Sequence, residues 1–163
     1  MTTRGFTLLE LCVGMALVAV LAAMAAPSFR TSLRSAAVRT ATFELMGGLQ
    51  RTRGLAVVES RPGVLCLADA GGACLSPGDP AVAWRIFLDT GGGGRGIATR
   101  ALPAGVTVRG SRARVRFSPR ALAASAATLT ICDTQGVAAP RAIVISQNAR
   151  ARLATASEAD CRA

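Results

Sequence analysis

From Phe6 to Ala26 the chain is apolar at every position except Thr7, Glu10 and Gly14. Wound as a helix, this run spans about 31 Å at ~1.5 Å per residue, enough for a bilayer core of about 30 Å. Pro27 closes it, and proline kinks or locally melts a helix. Beyond it, Phe29, Leu33, Ala36, Thr40 and Phe43 recur at spacings of four and three, with Arg30, Arg34 and Arg39 off the stripe. That period predicts an amphipathic helix to about Val58 that docks its Phe/Leu stripe on a sheet. Gly47, Gly48 and Gly54 weaken it by up to ~1 kcal/mol each.

After Arg61-Pro62-Gly63 the period changes. Val64–Ala68, Ala81–Leu88, Val106–Arg109, Arg112–Phe117, Ala127–Cys132 and Arg141–Ser146 read as short strands separated by Gly, Pro, Asp and Ser turns. The expected fold is α+β, a long helix beside a mostly antiparallel sheet or small two-sheet sandwich. Gly91–Gly94 reads as a flexible turn, because it lacks the lysine and the helix-opening context of a phosphate-cradling loop. Asp89 beside it is too isolated to bind calcium, which takes several oxygen ligands.

Composition narrows the function. The 163 residues contain no histidine, which removes the usual general base, zinc ligand and triad member, so no enzyme, cofactor or metal is expected. Hydrophobic residues make up 51 %, too many for a disordered chain. The formal charge is +10, and it is unevenly placed: residues 1–84 carry a net +2 and residues 85–163 a net +8. A basic C-terminal half points to a polyanion or an acidic surface as partner.

The N-terminus is the most specific stretch. A cleaved secretory signal is the plain alternative, with Ala23-Met24-Ala25 as its site. Against it stand an apolar run longer than the usual ~7–15 residues, an internal carboxylate and Pro27 just behind the site. Glu10 decides between the two, since a carboxylate inside an apolar segment costs several kcal/mol unless it protonates or finds a partner. Cleavage after Gly5 would expose such a partner, the α-amine of Phe6. Gly5-Phe6-Thr7-Leu8-Leu9-Glu10 resembles the processing site of type IV pilins and type II secretion pseudopilins. The resemblance implies cleavage by a prepilin peptidase between Gly5 and Phe6, N-methylation of Phe6, and pairing of Glu10 with the Phe6 amine of a neighbouring subunit.

Of five cysteines, Cys12 lies in the apolar run and reads as a small buried residue. Cys66, Cys74, Cys132 and Cys161 fall where the head would face the periplasm, a disulfide-permissive compartment, and three connectivities are open to them. Proximity favours Cys66–Cys74 around Ala70-Gly71-Gly72, which leaves Cys132–Cys161 to staple the tail to a strand. Zinc is the weaker reading, because the spacing is wrong and no histidine can help.

The series Cys66…Cys74…Trp84-Arg85-Ile86-Phe87-Leu88-Asp89, Phe117-Ser118-Pro119, Leu129–Asp133 and Arg141–Ser146 resembles the GspH/FimT family of minor pseudopilins. So does Asn148-Ala149-Arg150-Ala151-Arg152. The resemblance implies a pilin-like fold, a long N-terminal helix, half membrane and half amphipathic, on an antiparallel head. It divides the chain into a leader (1–5), a transmembrane and filament-core helix (6–26), an amphipathic helix (27–58) and a periplasmic head (59–163). It further implies a non-enzymatic minor subunit at or near the tip of a pilus or pseudopilus. Its partners would be other pilin subunits, prepilin peptidase and the inner membrane, which it crosses once.

Competence-associated members of that family bind DNA through a Gly-Arg-x-Arg motif. This chain matches both arginines, Arg150 and Arg152, but carries Ala149 where the motif has glycine, which matters if that position needs φ > 0. Arg112, Arg114 and Arg116 alternate with Ala113, Val115 and Phe117, so a strand would put three guanidiniums on one face with no acid nearby in sequence. A solvated strand face is the plain reading. Contacts to DNA phosphates, extended by Arg120, Arg141 and Arg162 if the strands pair suitably, are the sharper one. Aromatic residues are only 4 %, so such binding would be backbone-directed and independent of sequence. Two functions follow: a structural minor subunit, or a DNA-binding minor pilin for natural transformation.

Overall fold

The computed structural model describes residues 7–90, 94–120 and 123–162. One helix, α1 (Leu8–Val58), is followed by β1 (Gly63–Ala68), β2 (Ala83–Asp89), β3 (Gly94–Ala101), β4 (Val106–Gly110), β5 (Arg114–Phe117), β6 (Ala127–Asp133), β7 (Arg141–Ile145) and β8 (Ala151–Thr155). A 3-10 turn, Glu158–Cys161, ends the described chain. The strands form two four-stranded sheets in the orders β3-β2-β1-β5 and β4-β6-β7-β8, and every strand pair is antiparallel. The architecture is α+β, a long helix with two antiparallel sheets.

The chain divides into two compact units, Met1–Leu33 and Arg34–Ala163. In the first, α1 is a solvent-facing apolar helix: Leu8, Leu9, Met15 and Leu21 are each more than 60 % exposed. Among the described residues no single helix is long and apolar enough to cross a membrane, whereas Leu8–Ala23 and Ser28–Val58 are so as a bent pair.

In the second unit the helix packs into the core through Val38, Ala41, Leu45, Leu49 and Ala56. This corrects the docking face expected from the sequence. Phe29, Leu33 and Phe43 are 64 %, 55 % and 53 % exposed, and Ala36 and Thr40 are exposed with them. The reason is how closely the helix approaches the sheet. A Cβ on Gly48 would lie 2.9 Å from the Trp84 ring, so glycine is required at that contact, while Leu45 and Leu49 of the same face are fully buried in the core. Two threonines share that buried face, and their hydroxyls donate back to the carbonyls of Val38 and Gly48, each at 2.7 Å. Neither is left as an unsatisfied polar group in the core.

Two strands are not evident in the hydrophobic pattern. β3 is exposed or half-buried at every position and β8 likewise. Both are sheet edges with no buried face, so alternation does not mark them. Gly94, expected in a flexible turn, opens β3, while Gly91–Gly93 lie outside the described residues.

Candidate assembly segment and basic surface

Gly5 and Phe6, the expected cleavage and methylation positions, lie outside the described residues. Glu10 sits in the first turn of α1, where its backbone N–H donates to Thr7 Oγ1 at 3.3 Å. Gly14, Val18 and Ala22 follow at helical spacing and line one shallow groove with it. No cation pairs with its carboxylate among the described residues. An anion at the head of an apolar stripe has two ways to be compensated, protonation or a cation from outside those residues. Cys12, on the same helix, is free and exposed rather than buried.

The four head cysteines form Cys66–Cys74 and Cys132–Cys161, with Cα separations of 5.7 and 5.8 Å. Next to Cys132, Asp133 organises the β6–β7 turn. Its carboxylate accepts from the backbone N–H groups of Gln135 (3.3 Å), Val137 (2.9 Å) and Ala138 (3.1 Å). Burial pushes its pKa up, but those three donors and the Arg34 guanidinium together hold it below the usual carboxylate range. The stability it contributes is therefore complete above that range and is lost as pH falls through the lowered pKa. Arg34 itself donates to Ala104 O at 3.2 Å, fixing the start of the packed helix to the β3–β4 loop.

The arginines fall into three kinds. Arg116 is held, its Nη1 donating to Asp89 Oδ2 at 2.7 Å. Sequence spacing gave this strand no nearby acid; the fold supplies one from β2, on the far side of β1. Arg112 precedes β5, is exposed, and donates from Nε to Ala126 O at 3.1 Å. Arg114 is exposed, with no side-chain partner among the described residues.

Arg150 and Arg152 belong to the β7–β8 hairpin. Ser146 and Arg150 close it, with Ser146 N–H donating to Arg150 O at 2.9 Å and Ala149 N–H to Ser146 O at 3.0 Å. Ala149 has φ +59° and is 2 % exposed, so the position does require the left-handed region and alanine occupies it. That conformation costs a non-glycine residue about 1–2 kcal/mol. Arg152 lies in β8, opposite Val144, not in a loop, and both arginines are exposed.

One segment ties β5 to this hairpin. Ser125 N–H donates to Arg116 O at 2.9 Å, and Ala124 N–H donates to Gln147 O at 2.8 Å. The end of β5 and the hairpin turn are thus one residue segment apart. Arg141 opens β7 opposite Thr155, at the end of the hairpin remote from the turn, and Arg162 lies 3.9 Å from Glu158 in the C-terminal turn. Those two do not extend the turn's cluster. The pattern of the sequence also left Arg85 aside. It alternates with Trp84 and Ile86, both buried, so period two would have placed it on the outer sheet face with Asp89.

The sequence signature of the family described as type II transport protein GspH matches residues 41–149, and that of the prokaryotic N-terminal methylation motif matches residues 1–26. No curated protein matches the chain. Among solved structures, the fold is similar to that of the type IV minor pilin FimU of Pseudomonas aeruginosa, with TM-score 0.55 and 19 % identity over 71 % of this chain and 91 % of that one. It is also similar to the minor pseudopilin EpsH from the type 2 secretion system of Vibrio cholerae, with TM-score 0.56 and 9 % identity over 72 % of this chain and 96 % of that one.

Proposed function

The chain belongs to the GspH family and carries the N-terminal methylation motif of pilin-like proteins, and on that premise we propose that it is a minor subunit of a type II secretion pseudopilus or a type IV pilus. It works as a non-enzymatic building block at or near the tip. Prepilin peptidase removes Met1–Gly5, Phe6 is methylated, and the helix holds the protein in the inner membrane in a single pass, with the disulfide-bonded head in the periplasm. The observation that carries this reading is the methylation motif running directly into a helix with Glu10 in its first turn. Intact-mass measurement of the protein purified from membranes tests it. The expected species begins at Phe6 and carries one added methyl group; a chain still beginning at Met1 in a host with active peptidase overturns it.

A second reading, contact with DNA phosphates, is favoured by the hairpin. Ala149 keeps the left-handed turn despite lacking the motif's glycine, and Arg150 and Arg152 stand exposed beside it. Fluorescent duplex DNA titrated with the full chain in detergent should bind more weakly as salt rises. In the Arg150→Ala/Arg152→Ala variant the slope of log affinity against log salt should shrink by about 1.8, at ~0.9 per lost phosphate contact. An unchanged slope would remove these two residues from the contact.

A further inference from the structure

We infer that the outer face of the first sheet is a second stretch of the DNA-contacting surface, that Arg85 is one of its contact residues, and that Asp89 limits its strength by holding Arg116 out of it. The inference rests on the reading that this head contacts DNA.

The register of three strands defines the face. Cys66 of β1 pairs with Arg85 of β2 on one side and with Arg114 of β5 on the other, so the two arginines stand in one row across the sheet. Val64 pairs likewise with Phe87 and Arg116, which forms the next row. Trp84, Ile86, Leu65 and Val115 point into the core, so these rows face outward. Arg85 and Arg114 are two strand spacings apart, roughly 10 Å, and Arg112 and Arg114 roughly 7 Å apart along the chain. The Arg85 side chain reaches over β3, its Nη2 2.8 Å from where a Cβ on Gly96 would be, so glycine is what makes room for it there. Beside Arg112 and Arg114 a groove of about 400 Å³ opens against Ser76 and Pro77.

The chemistry of this face fits a polymer of phosphates better than an acidic protein surface. Protein interfaces carry an apolar centre that is buried on contact. Here the middle of the face is already sealed: Val64 is 5 % exposed and Cys66 fully buried beneath its disulfide. Apart from the half-buried ring of Phe87, what remains outside is guanidinium, which forks onto phosphate oxygens without needing a defined sequence or pocket. Arg116 is the exception. Its ion pair with Asp89 reaches across β1 and neutralises one cation in the row nearest the hairpin. Asp89 is the only carboxylate among the residues that this face presents from β1, β2 and β5.

The test uses the full chain in detergent, a fluorescein-labelled 30-base-pair duplex and a series of salt concentrations. Arg85→Ala/Arg114→Ala should reduce the salt slope by about 1.8, at ~0.9 per arginine. Asp89→Asn removes an anion and frees Arg116, so it should bind more tightly and raise the slope by about 0.9. Asp89→Asn also keeps the test decisive where the double arginine variant does not fold, as judged by its near-ultraviolet circular dichroism. A wild-type slope in both variants, with binding still lost in Arg150→Ala/Arg152→Ala, overturns this inference and leaves the hairpin reading standing. No binding by the wild-type chain at low salt overturns both.

Discussion

Replacing Glu10 by valine should leave the protein in the membrane and remove it from filaments. The two halves of that expectation have separate causes. In the bilayer a carboxylate in an apolar segment costs about 3 kcal/mol, so valine makes membrane retention easier, not harder. In the filament the balance reverses. If Glu10 compensates the Phe6 amine of a neighbour, deleting the carboxylate leaves a buried cation unpaired, a change that costs about 3–5 kcal/mol. Expressed as an equilibrium, that is a loss on the order of a hundredfold or more. The measurement is the amount of protein in sheared filaments relative to the membrane fraction, for wild type, Glu10→Val and Glu10→Asp. Aspartate keeps the charge on a shorter arm and should recover part of the signal. Wild-type recovery of the valine variant would leave the carboxylate without an assembly role.

The N-terminal methylation motif was legible because its signal is local: Gly5, Phe6 and Glu10 fall close together, and a charge in an apolar run has few explanations. The head was legible wherever a strand buries one face. β1, β2, β4, β6 and β7 alternate or run apolar, and their sequence-derived bounds lie within two residues of those observed. The edges were not legible, since β3 and β8 bury nothing that would impose a period. The docking face of α1 shows a different limit. Two stripes at helical spacing coexist in residues 29–56, one through Phe29, Leu33 and Phe43 and one through Val38, Ala41, Leu45, Leu49 and Ala56, and hydrophobicity alone does not choose between them. The fold uses the second, in which glycine at position 48 leaves room for the Trp84 ring. The basic site divides along the same line. Its residue types could be read from alternation, but the Asp89–Arg116 pair joins positions 27 residues apart through strand pairing that no local pattern encodes.

Removing the Cys132–Cys161 bond should destabilise the head more than removing Cys66–Cys74. The longer bond closes a separation of 29 residues and the shorter one of 8. By loop-closure entropy these correspond to ~3.6 and ~2.5 kcal/mol. Packing widens the difference. The short bond joins a residue buried in a central strand to a loop that an antiparallel Ala68–Cys74 bridge also holds. The long bond fastens a C-terminal turn in which no residue is buried, and the edge strand it encloses, β8, is exposed or half-buried throughout. Denaturant titration of Cys132→Ser/Cys161→Ser and Cys66→Ser/Cys74→Ser should show the larger loss of midpoint in the former. Hydrogen exchange should then separate local from global effects, with β8 and residues 156–162 exchanging first in the Cys132→Ser/Cys161→Ser variant while β6 stays protected. Because β8 carries Arg152 and the turn before it carries Arg150, the proposed DNA contact predicts that the same variant loses the binding assigned to the hairpin and keeps that assigned to the sheet face. A midpoint shift equal to that of the shorter bond, with β8 still protected, would mean that the β7–β8 pairing alone holds the tail.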